Sequence, residues 1–371
     1  MKLLYLATAD ARGHLMRAQL LTHALRAHGV TVDVLTTSDE GARFLAGFGI
    51  EAPVLSRHYA VVFDAQQNML RRETDRNIAR YVFDPRRCLK DLGTLRRLAR
   101  DADLIINDSF HPALLILGTL PGWRRKVVHV FGRSLRDALQ ANFEGRLHGW
   151  IARSFGRIIA WQIDSARAAL THDFAFDAVR SEGPRAHFLP TPVALATRTL
   201  AAPCDAAVYL NPHFRDPAIA QALETGLQAA HLSAHCVGEG YAGRAGWLAQ
   251  DARWIDQAAH SRVIVSAPGM AALSIAHVYQ VPIVLVVTDQ PEQQHNARQA
   301  AAMGLRHRVL TWRGDAARFA RELGEALAAL AGMRDAQAAA CGHDAAQARL
   351  QAWVEVLRAL AAPQPRAARP E

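Results

Sequence analysis

The sequence predicts an α/β protein with two domains, each a doubly wound parallel sheet. Three observations predict it: the chain has 371 residues, half of them are apolar, and short apolar runs alternate with helical periodicity in both halves. A Pro-rich, weakly periodic segment from residue 183 to 203 predicts a linker. We therefore expect domains at 1–195 and 196–361, and a disordered tail at 362–371.

The first half opens on a strand, a helix and a second strand. Gly29 stands where a helix C-cap is expected, so the helix ends before the second strand. Residues 66–100 are strongly charged and helical in pattern, which predicts an insertion at the rim of the sheet. The expected strands of this half are Leu3–Ala7, Thr31–Leu35, Asp103–Asp108 and Lys126–Phe131.

The same alternation resumes in the second half. A helix is expected at Ala218–Ala229, and Ala-rich helical sequence runs from Phe319 to about Ala361. Because each strand is followed by a helical segment, the sheet should again be parallel. The expected strands are Ala206–Leu210, Ala234–Gly238, Val263–Val265 and Val281–Val287.

Positive charge is concentrated in the first domain. The formal net charge is +9, of which residues 1–195 carry +8. Such a face meets solvent, anionic lipid or an anionic substrate, whereas no nucleic-acid recognition motif is present. The four cysteines are far apart, which predicts neither a zinc site nor a disulfide framework.

The helical segment from residue 143 to 170 mixes large apolar side chains with arginines. Core packing is the commoner reason for this pattern, and peripheral contact with an anionic membrane is the alternative. No run of eighteen uncharged apolar residues occurs, and the apolar run at the start is too short for a signal-peptide core, so we interpret it as the first strand. We therefore expect a cytoplasmic protein, with the inner face of the membrane as a second location.

A histidine follows the first strand, at the ligand-binding edge of the expected sheet. His14 lies at this strand-to-helix turn, and Asp108 ends another strand of the same sheet. A carboxylate beside an imidazole orients the ring and stabilises its charge, which suits general-base catalysis. A loop histidine with only a structural hydrogen bond is the alternative. Asp10 and His111 are further candidates for either role.

The stretch from Ser266 to Asn296 predicts a second polar site, formed by a βαβ unit. Gly269 allows close approach of a ligand, and the N–H groups that open the next helix can hold a phosphate. Acceptors and donors cluster from Glu292 to Asn296, which suits a polyhydroxylated ligand, although surface loops are also polar. Residues 254–256 either flank the base of a bound nucleotide or pack in the core.

Three patches resemble one family. They are Gly13-His14 with its helix, the segment from Gly269 to Pro282, and Glu292-Gln293 with Asn296-Ala297. The layout from Met1 to about Leu310 is similar to the GT-B glycosyltransferases, two Rossmann-like domains facing a central cleft. The likeness is to the bacterial group containing the peptidoglycan N-acetylglucosaminyltransferase and the macrolide and glycolipid transferases.

The resemblance implies a metal-independent transfer, without a cofactor, from a nucleotide-sugar donor to a lipid-linked, polysaccharide or small-molecule acceptor. Helix N-termini would offset charge that grows on the diphosphate. It implies catalytic roles for His14 and Asp108, and acceptor-side roles for Arg12, Gly13 and Arg17. It implies donor binding by Gly269, Met270, Ala271, Ile255, Glu292, Gln293 and Asn296.

Two positions depart from the family pattern. Ala272 and Ile275 stand where relatives commonly carry a Thr and a ribose-binding Glu. An isoleucine cannot hydrogen-bond a diol, so another residue binds the ribose, the donor is not a uridine diphosphate sugar, or the donor site has decayed. Two alternatives follow: a nucleotide-sugar hydrolase or epimerase of the same fold, and a non-catalytic protein that activates a partner enzyme.

Overall fold

The computed structural model describes residues 1–9, 12–56, 70, 73, 76, 85–108, 110–133, 149–212, 214–288, 290–334 and 338–363. The described chain forms two sheets flanked by helices, one sheet in each half. The predicted fold class, α/β with two parallel-sheet domains, is confirmed. Asp10 and the tail from residue 364 onward lie outside the described residues.

The first sheet has seven strands in the order β2-β1-β3-β4-β5-β7-β6. All of its neighbours pair in parallel except β6 and β7, which are antiparallel. The order of its first five strands is that of a flavodoxin-like sheet, in which the direction of winding reverses between β1 and β3. The strands are β1 (Lys2–Ala7), β2 (Thr31–Thr36), β3 (Leu104–Asp108), β4 (Val127–Gly132), β5 (Ala168–Asp173), β6 (Arg180–Glu182) and β7 (Ala186–Pro190).

The second sheet has six parallel strands in the order β10-β9-β8-β11-β12-β13. This is the 3-2-1-4-5-6 order of a Rossmann sheet, and its winding reverses between β8 and β11. The strands are β8 (Ala206–Leu210), β9 (Ala234–Gly238), β10 (Trp247–Leu248), β11 (Val263–Ser266), β12 (Ile283–Val287) and β13 (His307–Thr311).

Helices cover both sheets. The described helices are α1 (Arg12–Ala27), α2 (Asp39–Ala46), α3 (Pro85–Leu98), α4 (Pro112–Leu117), α5 (Gly149–Ser165), α6 (Pro217–Ala229), α7 (Trp254–His260), α8 (Met270–Val278), α9 (Pro291–Ala302), α10 (Ala316–Ala331) and α11 (Ala338–Ala361).

Several boundaries differ from the sequence prediction: the helix expected from Phe319 to Ala361 is two helices, α10 and α11, and two further differences concern the first domain. Helical sequence was predicted through residue 170, but α5 ends at Ser165 and β5 begins at Ala168. A short apolar run does not distinguish a buried strand from a helix, and here it is buried between β4 and β7. Residues 186–190 of the predicted linker form β7, because Ala186 to Pro190 pair with β5.

The expected insertion is described mainly as α3, and most of residues 57–84 lie outside the described residues. On α5, Ile158 and Trp161 are 51% and 59% exposed, so core packing does not account for these two side chains. Residues 134–148 are not among the described ones. In the described part of the chain, no helix is both long and apolar enough to cross a membrane.

The last helix, α11, joins the two domains. Its Ala346 packs in the core of the second domain, whereas Trp353, Val354 and Leu357 pack in the core of the first. Trp353 is fully buried, and its indole Nε1 donates to the Pro190 carbonyl at 2.8 Å. The boundary at residue 195 stays a prediction, and α11 packs on both sides of it.

We expect Trp353→Ala to lower the free energy of unfolding by about 3–5 kcal/mol, because it leaves a cavity in the first core and an unpaired carbonyl. Urea denaturation followed by circular dichroism measures the change. Arg358→Ala, at an exposed position of the same helix, is the matched control and should change the value by less than about 0.5 kcal/mol. Equal stability of the two variants would contradict the packing of α11 described here.

Candidate active site

The reversal of winding in the first sheet brings His14 and Asp108 together. The carboxyl ends of β1 and β3 lie on either side of this reversal, and ligands bind at such points in open α/β sheets. α1 follows β1 and carries His14 in its first turn, while Asp108 is the last residue of β3. The imidazole Nδ1 lies 2.7 Å from Asp108 Oδ1.

Asp108 is a fully buried carboxylate that several side chains hold. The Tyr5 hydroxyl donates to Oδ2 at 2.7 Å, and Arg17 Nε donates to the same oxygen at 2.8 Å. Arg17 Nη2 also donates to Oδ1, which His14 contacts as well. An Arg binding both oxygens of a carboxylate is a geometrically specific, charge-assisted pair.

These contacts fix the charge of Asp108. Burial alone would raise the pKa of the carboxyl, but the charges and hydrogen bonds of Arg17 and His14 outweigh it and hold that pKa well below its usual range. Burial and the Asp108 charge raise the pKa of Tyr5 well above its ordinary value. Asp108 is therefore an anion, and Tyr5 is a neutral hydrogen-bond donor.

The anionic Asp108 selects the tautomer of His14. An ionised carboxylate only accepts hydrogen bonds, so in the neutral ring Nδ1 carries the hydrogen and Nε2 carries the lone pair. Arg17 Nη2 lies 3.0 Å from the same Nδ1, and because a guanidinium only donates, this is a contact and not a hydrogen bond in that tautomer. The His14 side chain is 20% exposed, and its Nε2 bonds no described residue.

A buried chain of polar groups supports this pair from behind. Arg17 Nη1 donates to His172 Nε2 at 2.6 Å, and His172 Nδ1 lies 3.0 Å from Thr191 Oγ1. Burial, and then the Arg17 charge, lower the pKa of His172 well below its usual value, so the ring is neutral. Sequence reasoning missed Tyr5, His172 and Thr191. The polar end of β5, His172-Asp173, was the available signal.

The three acceptor-side candidates occupy different positions. Arg17 is only 5% exposed and holds Asp108, so it positions the pair and does not face an acceptor. Arg12 forms an ion pair with Glu239, which follows β9, so its charge bridges the two domains. A Cβ added at Gly13 would meet no described atom within 4 Å, so the backbone here borders open space.

The second reversal of winding places the turn before α8. β11 ends at Ser266, and Gly269 is the N-cap of α8 with no side-chain cap bond. A Cβ at Gly269 would also meet open space, and the N–H groups that begin α8 at Met270 and Ala271 have no intrahelical partners. Such an N-terminus favours an anion, through its N–H donors and its dipole.

Residues of α9 hold this turn in place. Asn296 is 2% exposed, and its Nδ2 donates to the Pro268 carbonyl at 2.9 Å. Gln293 Oε1 accepts from the Thr288 N–H at 2.8 Å, so only its amide NH₂ stays available to a ligand. The backbone of Glu292 lies in the first turn of α9, and its side chain is outside the described residues.

Some candidate side chains are buried in the core and do not face this site. Ile255, Ala272 and Ile275 are at most 9% exposed and pack in the core of the second domain. Asp256 accepts from the Thr197 N–H at 2.7 Å. His111 is fully buried, with Ser56 Oγ 3.2 Å and Asp91 Oδ2 3.8 Å from its Nε2.

A cavity of about 490 Å³ lies at the other end of α8, lined by His277, Arg349 and Asp177 among others. It lies at the C-terminal end of α8, opposite the N-terminus that follows the second reversal, so its size does not make it the active site. Among the described residues, no three His, Cys, Asp or Glu side chains are grouped as a metal site would need.

The sequence matches no protein-family model and no curated protein, but solved structures match nearly the whole chain. The spinosyn forosaminyltransferase SpnP superposes with a TM-score of 0.61 at 16% identity, covering 97% of this chain and 99% of its own. The spinosyn rhamnosyltransferase SpnG, complexed with thymidine diphosphate, has a TM-score of 0.60 at 17% identity, covering 97% and 100%. MurG of Acinetobacter baumannii superposes with a TM-score of 0.53 at 13% identity, covering 96% of this chain and 99% of its own.

These neighbours show the fold. The chain has the GT-B architecture, with two Rossmann-like domains, and the predicted resemblance in architecture is confirmed. The roles of individual residues stay predictions, because structural neighbours with 13–17% sequence identity support the fold and not the function of a residue.

We expect Arg17→Met to lower the free energy of unfolding by about 3–5 kcal/mol, because it leaves the Asp108 carboxylate buried without a cation. The double variant Arg17→Met/Asp108→Asn should recover part of this loss, since the buried charge is then gone. Urea denaturation at pH 7 measures both. Arg43→Met, which removes an exposed ion pair with Glu40, is the control and should cost at most about 1 kcal/mol. An Arg17 variant as stable as this control would refute the buried pair.

Proposed function

We propose that this protein is a glycosyltransferase that moves a sugar from a nucleotide-sugar donor to an acceptor hydroxyl. The observation that carries the proposal is the His14–Asp108 pair, with its 2.7 Å contact at the reversal point of the first sheet. A base on one domain and an anion-binding helix end on the other are two components that a base-catalysed sugar transfer from a nucleoside diphosphate can use.

His14 acts as the general base. Its Nε2 takes the proton of the acceptor hydroxyl while the acceptor oxygen forms a bond to the anomeric carbon. The bond from that carbon to the donor phosphate breaks, and the nucleoside diphosphate leaves with the electron pair. Asp108 stabilises the imidazolium that forms, and Arg17 and Tyr5 keep the carboxylate in place.

The N-terminus of α8 binds the donor diphosphate. The N–H groups at Met270 and Ala271 and the helix dipole offset the charge that grows on the leaving group, so the transfer needs no metal ion. Asn296 holds the turn through a hydrogen bond to the Pro268 carbonyl. The side-chain amide NH₂ of Gln293 donates a hydrogen bond to the nucleotide-sugar. Because Ile275 is buried, the ribose is held by other groups than in relatives that use a Glu there.

We further propose that the acceptor is lipid-linked and lies on an anionic membrane, and the exposed apolar side chains of α5 favour this. Ile158 and Trp161 are exposed and lie three residues apart, so they share one face of the helix. Arg157 is exposed beside them. This pattern suits apolar insertion with arginines at the headgroups, whereas a water-soluble acceptor would not require it.

The donor site is tested by calorimetry with a panel of nucleoside diphosphates, beginning with thymidine and uridine diphosphate. We expect at least one to bind with a Kd in the micromolar range, about −8 kcal/mol. The variant Gly269→Glu, which places a carboxylate at the N-terminus of α8, should weaken that ligand at least tenfold. Absence of binding by every member of the panel would remove both the transferase and the hydrolase interpretations.

We expect His14→Ala to lower the rate of sugar transfer by about 10²–10⁴-fold, because the acceptor proton loses its base. Affinity for the nucleoside diphosphate should stay within about threefold, since His14 lies on the other domain. Transfer assays with the donor identified by calorimetry measure the rate. His23→Ala, at an exposed position of the same helix, is the control and should leave it unchanged. Wild-type turnover in the His14 variant would refute the base.

A further inference from the structure

A second buried carboxylate, Asp173, lies where the two domains meet. It is the last residue of β5 and is 1% exposed. The N–H of the next residue, Phe174, donates to the sulfur of Met270 at 3.3 Å, and Met270 is the first residue of α8. The carboxylate thus lies beside the beginning of α8, the helix assigned to the donor diphosphate.

Asp173 also extends the site from the first domain toward the second. The register pairs Asn107 with His129 and His129 with Ala169, so Asp108 is level with residue 170 of β5. Asp173 lies three residues beyond that level, about 10 Å further along the strand direction. It therefore lies between the level of the His14–Asp108 pair and the N-terminus of α8.

Unlike Asp108, this carboxylate has a hydrogen-bond partner on only one of its two oxygens among the described residues. Its Oδ1 accepts from the Ala175 N–H at 3.0 Å. Its Oδ2 is buried and has no hydrogen-bond partner among the described residues. Arg133 forms no ion pair with it among the described residues, and the Arg133 guanidinium lies over the Phe176 ring at 6.0 Å.

A buried carboxylate oxygen without a donor is costly to the folded protein, and the turn formed by the Ala175 bond does not by itself explain why a carboxylate lies here. An external hydrogen-bond donor does explain it. In the proposed function, the transferred sugar lies between the base of the first domain and the diphosphate at α8, and sugar hydroxyl or amino groups are donors of the required kind.

We propose that Asp173 recognises the transferred sugar of the nucleotide donor, with Oδ2 accepting a hydrogen bond from a hydroxyl or amino group on the ring. This assignment rests on the proposed function, and it makes Asp173 a specificity-determining residue contributed by the first domain. Binding at Asp173 also links the two domains through the donor, since the diphosphate is held by the second.

The test compares the affinities of a nucleoside diphosphate and of the same nucleotide carrying its sugar, measured by calorimetry. In Asp173→Ala, we expect the affinity for the bare nucleotide to stay within twofold and the affinity for the nucleotide-sugar to fall at least tenfold. Asp177→Ala is the matched control, because Asp177 is 78% exposed and only four residues away, and it should change neither affinity.

Asp173→Asn distinguishes the two kinds of sugar group. The amide carbonyl still accepts a hydrogen bond but carries no charge, so a hydroxylated sugar should regain part of its affinity and an amino sugar should not. We also expect unliganded Asp173→Asn to melt at or above the temperature of the wild type, since it removes a buried charge without a partner. A structural role for Asp173 would instead lower the melting temperature.

The outcomes separate the two proposals. If no nucleotide binds the wild type, the proposed function fails and this assignment fails with it. If the nucleotide binds but Asp173→Ala leaves the affinity for the nucleotide-sugar unchanged, or lowers both affinities equally, the role of Asp173 is overturned while the proposed function stands.

Discussion

The buried carboxylate of Asp108 is the constraint on which the candidate site depends. It lies in the interior, where an unpaired charge is strongly unfavourable, so the fold must supply donors from several elements. β1 supplies Tyr5, and α1 supplies both His14 and Arg17. One buried charge therefore fixes the position of α1 on the sheet and, with it, the orientation of the imidazole.

The second requirement is that two sheets present their carboxyl edges to each other. In each sheet, the winding reverses at one point, and the candidate residues lie there: His14 and Asp108 in the first, and the turn at Gly269 in the second. The ion pair between Arg12 and Glu239 and the contact of Phe174 with Met270 connect the domains at these edges. A sugar held between them would meet a base on one side and a phosphate site on the other.

The sequence predicted what depends on periodicity and on the ends of parallel strands. His14 and Asp108 are 94 residues apart in the chain, yet parallel winding brings the ends of their strands together, and this could be expected. Arg17 could not be placed, because its position three residues after His14 does not tell whether it faces solvent or the sheet. Asp173 was missed for a related reason: the apolar run before it was interpreted as helix, which hid a strand with a polar end.

The role of Asp108 is tested most directly by the rate of sugar transfer in Asp108→Asn, with the donor identified by calorimetry. The substitution keeps the shape of the side chain but removes the charge that selects the His14 tautomer and stabilises its protonated form. We expect a transfer rate at least about 10²-fold below that of the wild type, with nucleotide affinity unchanged. A folded Asp108→Asn protein that transfers sugar at the wild-type rate would contradict this expectation.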